Sequence, residues 1–232
     1  MIQDPENSYI DTILSQCDIN GLEILEIGCG KGRITRDLAK YAKRVVATDP
    51  DSSALTTAQA MIPDGNVTFL HEPTGVPSLP AGSFDVVIYT LSFHHVPKDA
   101  MSATLAATAN LLKKNGVIVI VEPGAGGSFT EAKERFGAGS GDERPAREAA
   151  IRAMNSLEGW EVGQTIPFSV LFQFDNDDDF FTNMLPGYLQ QPESFVAEVR
   201  QFLHQYRHGD GIILEAERQL NVLTPSMSHK QL

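Results

Sequence analysis

Gly28, Gly30 and Gly32 stand at alternate positions, with Glu26 two residues before the first and Cys29 inside the run. Glycines so spaced let the chain turn sharply and keep any Cβ out of a ligand's way. Leu22, Ile24, Leu25 and Ile27 precede them as a short apolar run, which predicts a buried parallel strand. Ile34, Leu38 and Tyr41 follow at helical spacing. Strand, glycine turn and helix in that order hold a nucleotide-like ligand at the carboxyl end of the first strand of an open α/β sheet. A dinucleotide fingerprint needs its third glycine at position 33, which is Arg33, and no Walker Lys-Ser or Lys-Thr ends the loop. The Glu26 carboxylate suits a cationic group, such as a sulfonium-bearing amino acid with its ammonium. It suits a pyrophosphate poorly, because like charges repel.

Further along, Arg44-Val45-Val46-Ala47-Thr48-Asp49-Pro50 predicts a second strand ending in an acid. Asp49 lies one strand-helix-strand unit after Glu26, where a carboxylate accepts hydrogen bonds from both hydroxyls of a ribose. A helix N-cap is the competing role for this stretch, and Ser52 or Ser53 can fill it. The segment Glu26-Ile27-Gly28-Cys29-Gly30-Lys31-Gly32 resembles the first motif, E-x-G-x-G-x-G, of the class I S-adenosylmethionine-dependent methyltransferases. The Phe84-Asp85-Val86-Val87 start of a fourth strand is similar to the same family. The resemblance covers about residues 21–123. It implies a Rossmann-like, doubly wound α/β sheet of seven strands, mostly parallel with the last strand antiparallel, plus a small helical cap. It also implies S-adenosylmethionine as cofactor, held by Glu26, Gly28, Cys29, Gly30, Gly32, Asp49, Pro50, Glu72 and Tyr89. One departure stands out. The family's adenine-contacting acid after the third strand (residues 66–70) falls on Pro73, with Glu72 one position earlier.

Leu91-Ser92-Phe93-His94-His95-Val96 follows the fourth strand. A similar Leu-x-x-His-His-Val run borders the substrate pocket in many small-molecule members of the family. Imidazole titrates near neutral pH, so His94 and His95 are candidate general bases, with local packing as the alternative. Glu122 closes the fifth strand, where α/β sheets place functional residues, and joins them as a catalytic candidate. Substrate-binding candidates are Tyr9, Phe93, Phe180 and Phe181. Tyr9 sits on an N-terminal helix that in related enzymes closes over the cofactor. Phe180 and Phe181 belong to helices predicted at about 177–208, read as a cap around an apolar pocket.

The 232 residues fit one methyltransferase-like domain over 1–232, with a lid loop at 124–147 and a flexible tail at 225–232. A helix is predicted over 98–114 and a last strand over 212–224, interrupted at Glu215-Ala216-Glu217. The oxygen-rich run Asp175 to Asp179 lacks the EF-hand pattern and predicts a helix N-cap with an acidic first turn. The net charge of −12 argues against a nucleic-acid partner. No apolar run approaches the ~20 residues of a membrane span, and the first residues do not form a secretory signal. Cys17 and Cys29 form no metal-ligand pattern and are read as reduced thiols in a cytoplasmic setting, with no metal expected. The resulting expectation is methyl transfer to an O, N or C atom of a small molecule, by a monomer or a homodimer. Two other readings are a cyclisation or rearrangement on the same fold and a non-catalytic cofactor-binding subunit.

Overall fold

The computed structural model describes residues 1–63 and 65–226. In chain order the elements are β1 (Ile2–Gln3), α1 (Ser8–Gln16), β2 (Glu23–Ile27), α2 (Arg33–Ala39), β3 (Arg44–Asp49), α3 (Ser52–Met61), β4 (Val67–His71) and β5 (Phe84–Thr90). A 3-10 turn at Phe93–His95 leads to α4 (Met101–Leu111), β6 (Leu112–Pro123), α5 (Ser128–Phe136), α6 (Arg144–Asn155), β7 (Trp160–Val162) and β8 (Ile166–Phe174). Then come α7 (Asp177–Met184), a second 3-10 turn at Tyr188–Gln190, α8 (Glu193–His204), β9 (Arg207–His208) and β10 (Gly211–Pro225). The chain divides into two compact units. The larger holds Ile10–Glu122, Pro145–Ile166 and the residues from Gln219 on; the smaller holds Met1–Tyr9, Pro123–Arg144 and Pro167–Arg218.

In the larger unit β4, β3, β2, β5 and β6 lie side by side and all four pairings are parallel. Ile24, Leu25, Glu26 and Ile27 of β2 are all buried, so both faces of the middle strand are covered, as a parallel sheet requires. The strand order reverses at β2, between β3 and β5, and a parallel sheet opens its ligand crevice at such a reversal. The later part of β10 adds to this sheet and runs antiparallel to β7. Tyr89, Phe93, Leu105, Ile118, Met154 and Leu223 are among the side chains packed in its core.

The smaller unit pairs β1 antiparallel with β8, and β9 antiparallel with the start of β10. Its core is aromatic: Phe136 meets Phe202 edge-on at 5.3 Å, and Phe174 meets Phe180 at 5.1 Å. Asn176 caps α7 by accepting from the Asp179 amide at 3.0 Å. Asp177, in the first turn, takes Arg200 at 2.8 Å and Arg207 at 2.6 Å. The acidic run therefore serves as cap and ion-pair anchor.

Ten strands occur among the described residues where seven were expected. β1 and β9 have two residues each, too short for any periodicity to show, and Gly163 separates β7 from β8. The helix expected over 98–114 ends at Leu111. Leu112 pairs with Phe84, and the Lys113 ammonium sits 2.7 Å from Asp85, so strand pairing overrides the helical pattern. β10 runs unbroken through Glu215 and Glu217, because Glu217 exchanges backbone hydrogen bonds with Gly124 and Gly126. At Gly127 (φ +99°) a Cβ would lie 2.3 Å from the Glu215 carbonyl oxygen, so only glycine lets this stretch lie along β10. Pro225 ends β10 within the expected tail, and residues 227–232 lie outside the described residues.

Candidate functional site

β2 ends at Ile27, and the glycine turn that follows is fixed mainly by β3. The amides of Gly28 and Cys29 donate to the Thr48 carbonyl at 2.8 and 2.9 Å. The amide of Gly30 donates to Asp49 Oδ2 at 2.7 Å, and Asp49 Oδ1 accepts from the Asp51 amide at 2.9 Å. The acid that ends β3 thus staples the turn that ends β2. Gly32 (φ +80°) begins α2.

The three glycines are needed for different reasons. At Gly28 (φ +80°) a Cβ would lie 2.3 Å from Ser92 Cβ. At Gly32 it would lie 2.7 Å from Ile62 Cδ1. At Gly30 (φ +54°) nothing stands within 4 Å. Two glycines are therefore fixed by protein neighbours, and only Gly30 leaves the open cradle that a ligand needs.

A cavity of about 330 Å³ opens beside this turn. Gly28, Thr48, Pro50, Thr74, Tyr89 and Ser92 line it, and so do His95 and Val96. Its volume lies within the range of small-ligand pockets. Ser92 Oγ donates to the Ile27 carbonyl at 2.5 Å and ties the end of β5 to the end of β2. Leu91 holds φ +55°, a left-handed backbone that a leucine rarely adopts, and its amide donates to Val121 at 2.8 Å. Strain of this kind persists where surrounding structure over-determines it, commonly beside a functional site.

The other cofactor candidates have definite places. Glu26 is fully buried and accepts from Thr35 Oγ1 at 2.6 Å. Burial pushes its carboxyl up to about 7, against the Thr35 hydrogen bond. The Cys29 thiol is buried, donates to the Gly30 carbonyl, and is pushed well above its ordinary range by burial, which leaves it protonated and inert. The Tyr89 hydroxyl shares a 2.6 Å hydrogen bond with Thr108, and burial pushes it up as well. Glu72 turns onto its own loop and accepts from the Thr74 amide at 3.0 Å and hydroxyl at 2.5 Å, while Pro73 lines the cavity.

The two histidines take different positions. His94 is buried, with Nδ1 2.8 Å from Glu122 Oε2, and its amide donates to Glu122 Oε1 at 3.3 Å. His95 is exposed and lines the cavity. Their ring centroids are 4.1 Å apart. Glu122, His94 and His95 thus form a chain of contacts that ends at the cavity.

Three of the four substrate candidates are core instead of pocket wall. Phe93 packs edge-on against Tyr89 at 5.3 Å, Phe180 meets Phe174, and Phe181 stacks on Tyr188 at 4.5 Å; all three are fully buried. Each is a large aromatic with an aromatic partner at hand, which favours burial. Tyr9 is fully buried too, and its hydroxyl accepts from Arg218 Nε at 2.8 Å. Ser92 and Thr48 line the cavity without having been foreseen. The signal for Ser92 was its place between a strand end and the paired histidines.

A parallel sheet with its reversal at β2, a glycine turn there and an acid stapling that turn make up a Rossmann-like fold shared with solved methyltransferase structures. Residues 24–116 match the family model of a methyltransferase domain. Over 116 residues the chain is 28% identical to an uncharacterised methyltransferase of Mycobacterium tuberculosis, covering 50% of this chain and 58% of the relative. It is 33% identical over 104 residues to a ubiquinone biosynthesis O-methyltransferase of Albidiferax ferrireducens, covering 43% of this chain and 40% of the relative. The matched part thus spans about half the length of these curated relatives. A solved structure of a candidate methyltransferase from Bacillus halodurans is similar over 95% of this chain and 100% of its own, with a TM-score of 0.63 and 16% identity. No helix among the described residues is long and apolar enough to cross a membrane.

Proposed function

We propose that this chain transfers the methyl group of S-adenosylmethionine to an oxygen, nitrogen or carbon atom of a small organic molecule. The observation that carries the reading is the cavity at the end of β2. It is lined by Gly28, Thr48 and Pro50, the chain neighbours of the glycine turn and of the stapling acid Asp49, within residues that match the methyltransferase domain. The residues fit the cofactor. Gly30 leaves room for close approach, Asp49 is the acid we assign to the ribose hydroxyls, and Pro50, Thr74 and Tyr89 are those we assign to the nucleoside. When bound, the cofactor supplies an electrophilic methyl carbon on a sulfonium centre. The protein's own task is then to align the acceptor and exclude water.

His95 is the residue we assign to deprotonate an acceptor that arrives as a hydroxyl or an ammonium. Its ring borders the cavity and rests on His94, whose Nδ1 is 2.8 Å from Glu122. Glu122 orients His94, and His94 positions His95. The O-methylating relative supports an oxygen acceptor.

Calorimetric titration with S-adenosylmethionine and adenosylhomocysteine, followed by a screen of small acceptors, tests the reading. Binding of both, and adenosylhomocysteine formed in step with product, is the expected result. Product without adenosylhomocysteine would point to a rearrangement, and no binding of either compound would overturn the assignment. His95→Ala should lower turnover by ~10²-fold with cofactor affinity retained. Turnover within about threefold of the unchanged protein would remove His95 from the chemistry.

A further inference from the structure

Arg218 is 3% exposed, inside the smaller unit. It lies on β10, where Ile212, Leu214, Ala216 and Leu220 are buried and the intervening residues are less so. Strand alternation therefore puts a guanidinium on an apolar face. Every partner that the described residues give it is neutral. Nε donates to the Tyr9 hydroxyl at 2.8 Å, Nη1 donates to the Glu217 carbonyl at 3.1 Å, and the group lies 5.8 Å from the centre of the Phe172 ring. Phe172 in turn stacks on Phe129 at 4.0 Å.

A guanidinium is always charged and carries five donors, and burying such a charge is costly unless an anion meets it. The nearby cation Lys133 adds to the positive charge. Burial holds its ammonium below its ordinary range, with the charge of Arg218 acting in the same direction and Glu143 acting against it. Glu143 is paired with Lys133, and the Asp4 carboxylate is turned onto the amides of Ser8 and Tyr9. The described residues thus give Arg218 no ion-pair partner in its apolar, aromatic setting.

We propose that Arg218 and Tyr9 form a recognition site for the carboxylate of a small organic acid. A planar fork of N–H donors matches a two-oxygen anion, and the Tyr9 hydroxyl orients the fork through Nε. The site does not rest on the methyl-transfer reading.

The test uses the full chain and calorimetric titration with benzoate, phenylacetate and hexanoate, with methyl benzoate as the neutral control. The acids should bind roughly tenfold or more tightly than the ester. Arg218→Gln should weaken acid binding by a similar factor and leave adenosylmethionine binding unchanged. If Arg218→Gln fails to fold, Arg218→Lys and Tyr9→Phe decide, because each keeps the charge or the ring. Both should weaken acid binding and leave the neutral ester unaffected. Failure of all three acids to bind, equal binding of the ester, or unchanged acid affinity in every folded variant overturns the site. Acids that bind where adenosylmethionine does not would leave the site standing and remove the methyl-transfer reading. Adenosylmethionine binding without acid binding does the reverse.

Discussion

In the larger unit the buried acids have nearby donors: Glu26 has the Thr35 hydroxyl, Asp49 the amides of Gly30 and Asp51, and Glu122 the His94 amide. In the smaller unit the buried Arg218 has a phenol, a carbonyl and an aromatic face. The acids are structural parts of a turn and a strand end, so a change around them should disturb the fold and the cofactor cavity together. The arginine is held by few and neutral partners, so its loss should be felt mainly in what binds. Substitutions in the larger unit can break or sharpen this contrast.

Gly28→Ala has the largest expected effect. The new Cβ would lie 2.3 Å from Ser92 Cβ at a residue with φ +80°. Overlap and backbone strain together should destabilise the chain by about 3–5 kcal/mol, read by urea denaturation. The double variant Gly28→Ala, Ser92→Gly removes the overlap and keeps the strain, so it should recover roughly half. A loss below about 1 kcal/mol in the single variant would mean that Ser92 does not dictate the glycine, and the account of the turn would fail.

Glu26→Gln should show a pH-dependent effect of the next size. The folded chain holds the Glu26 carboxyl protonated up to about 7, whereas its ordinary value is 4.5. The unfolded chain therefore ionises first as pH rises. The wild-type residue costs nothing below about 4.5, and its cost grows until it is fully present above about 7. The shift corresponds to about 3 kcal/mol. Glutamine does not titrate, so denaturation of both proteins without ligand should show the variant gaining about that much between pH 4.5 and pH 8. An equal difference at both pH values would mean that the carboxyl is ionised in the folded state.

The same contrast explains what could be read in advance. The larger unit was legible because backbone conformation needs particular residues. Glycines at 28, 30 and 32 declare a turn, the unbroken β-branched run from Val117 to Val121 declares a central strand, and Asp49 follows at the interval of one strand-helix-strand unit. The site failed to show where the backbone left no such mark. Leu91 adopts a left-handed conformation without a glycine to announce it, and Phe93, amid the catalytic candidates, turns into the core. The helices of the smaller unit were visible in the spacing of Phe195, Val199 and Phe202. Its buried charge was not, because Glu215 and Glu217 flank Ala216 and make the strand look broken. Only with the strand continuous does alternation place Arg218 inward beside Ala216 and Leu220.

Gly30→Ala should have the smallest effect on stability and separates fold from ligand within the turn. A Cβ at Gly30 meets nothing within 4 Å, so the fold bears only the left-handed conformation at φ +54°, about 1–2 kcal/mol. The same open space is where the cofactor has to approach. The variant should therefore melt within a few degrees of the parent and still bind adenosylmethionine at least roughly tenfold more weakly, a loss of about 1.4 kcal/mol. Gly28→Ala would lose both properties together. A Gly30→Ala protein that kept full affinity would show that the cofactor does not lie against this turn, although the turn itself would be as described. The cavity lined by Thr48, Thr74 and His95 would then serve another ligand.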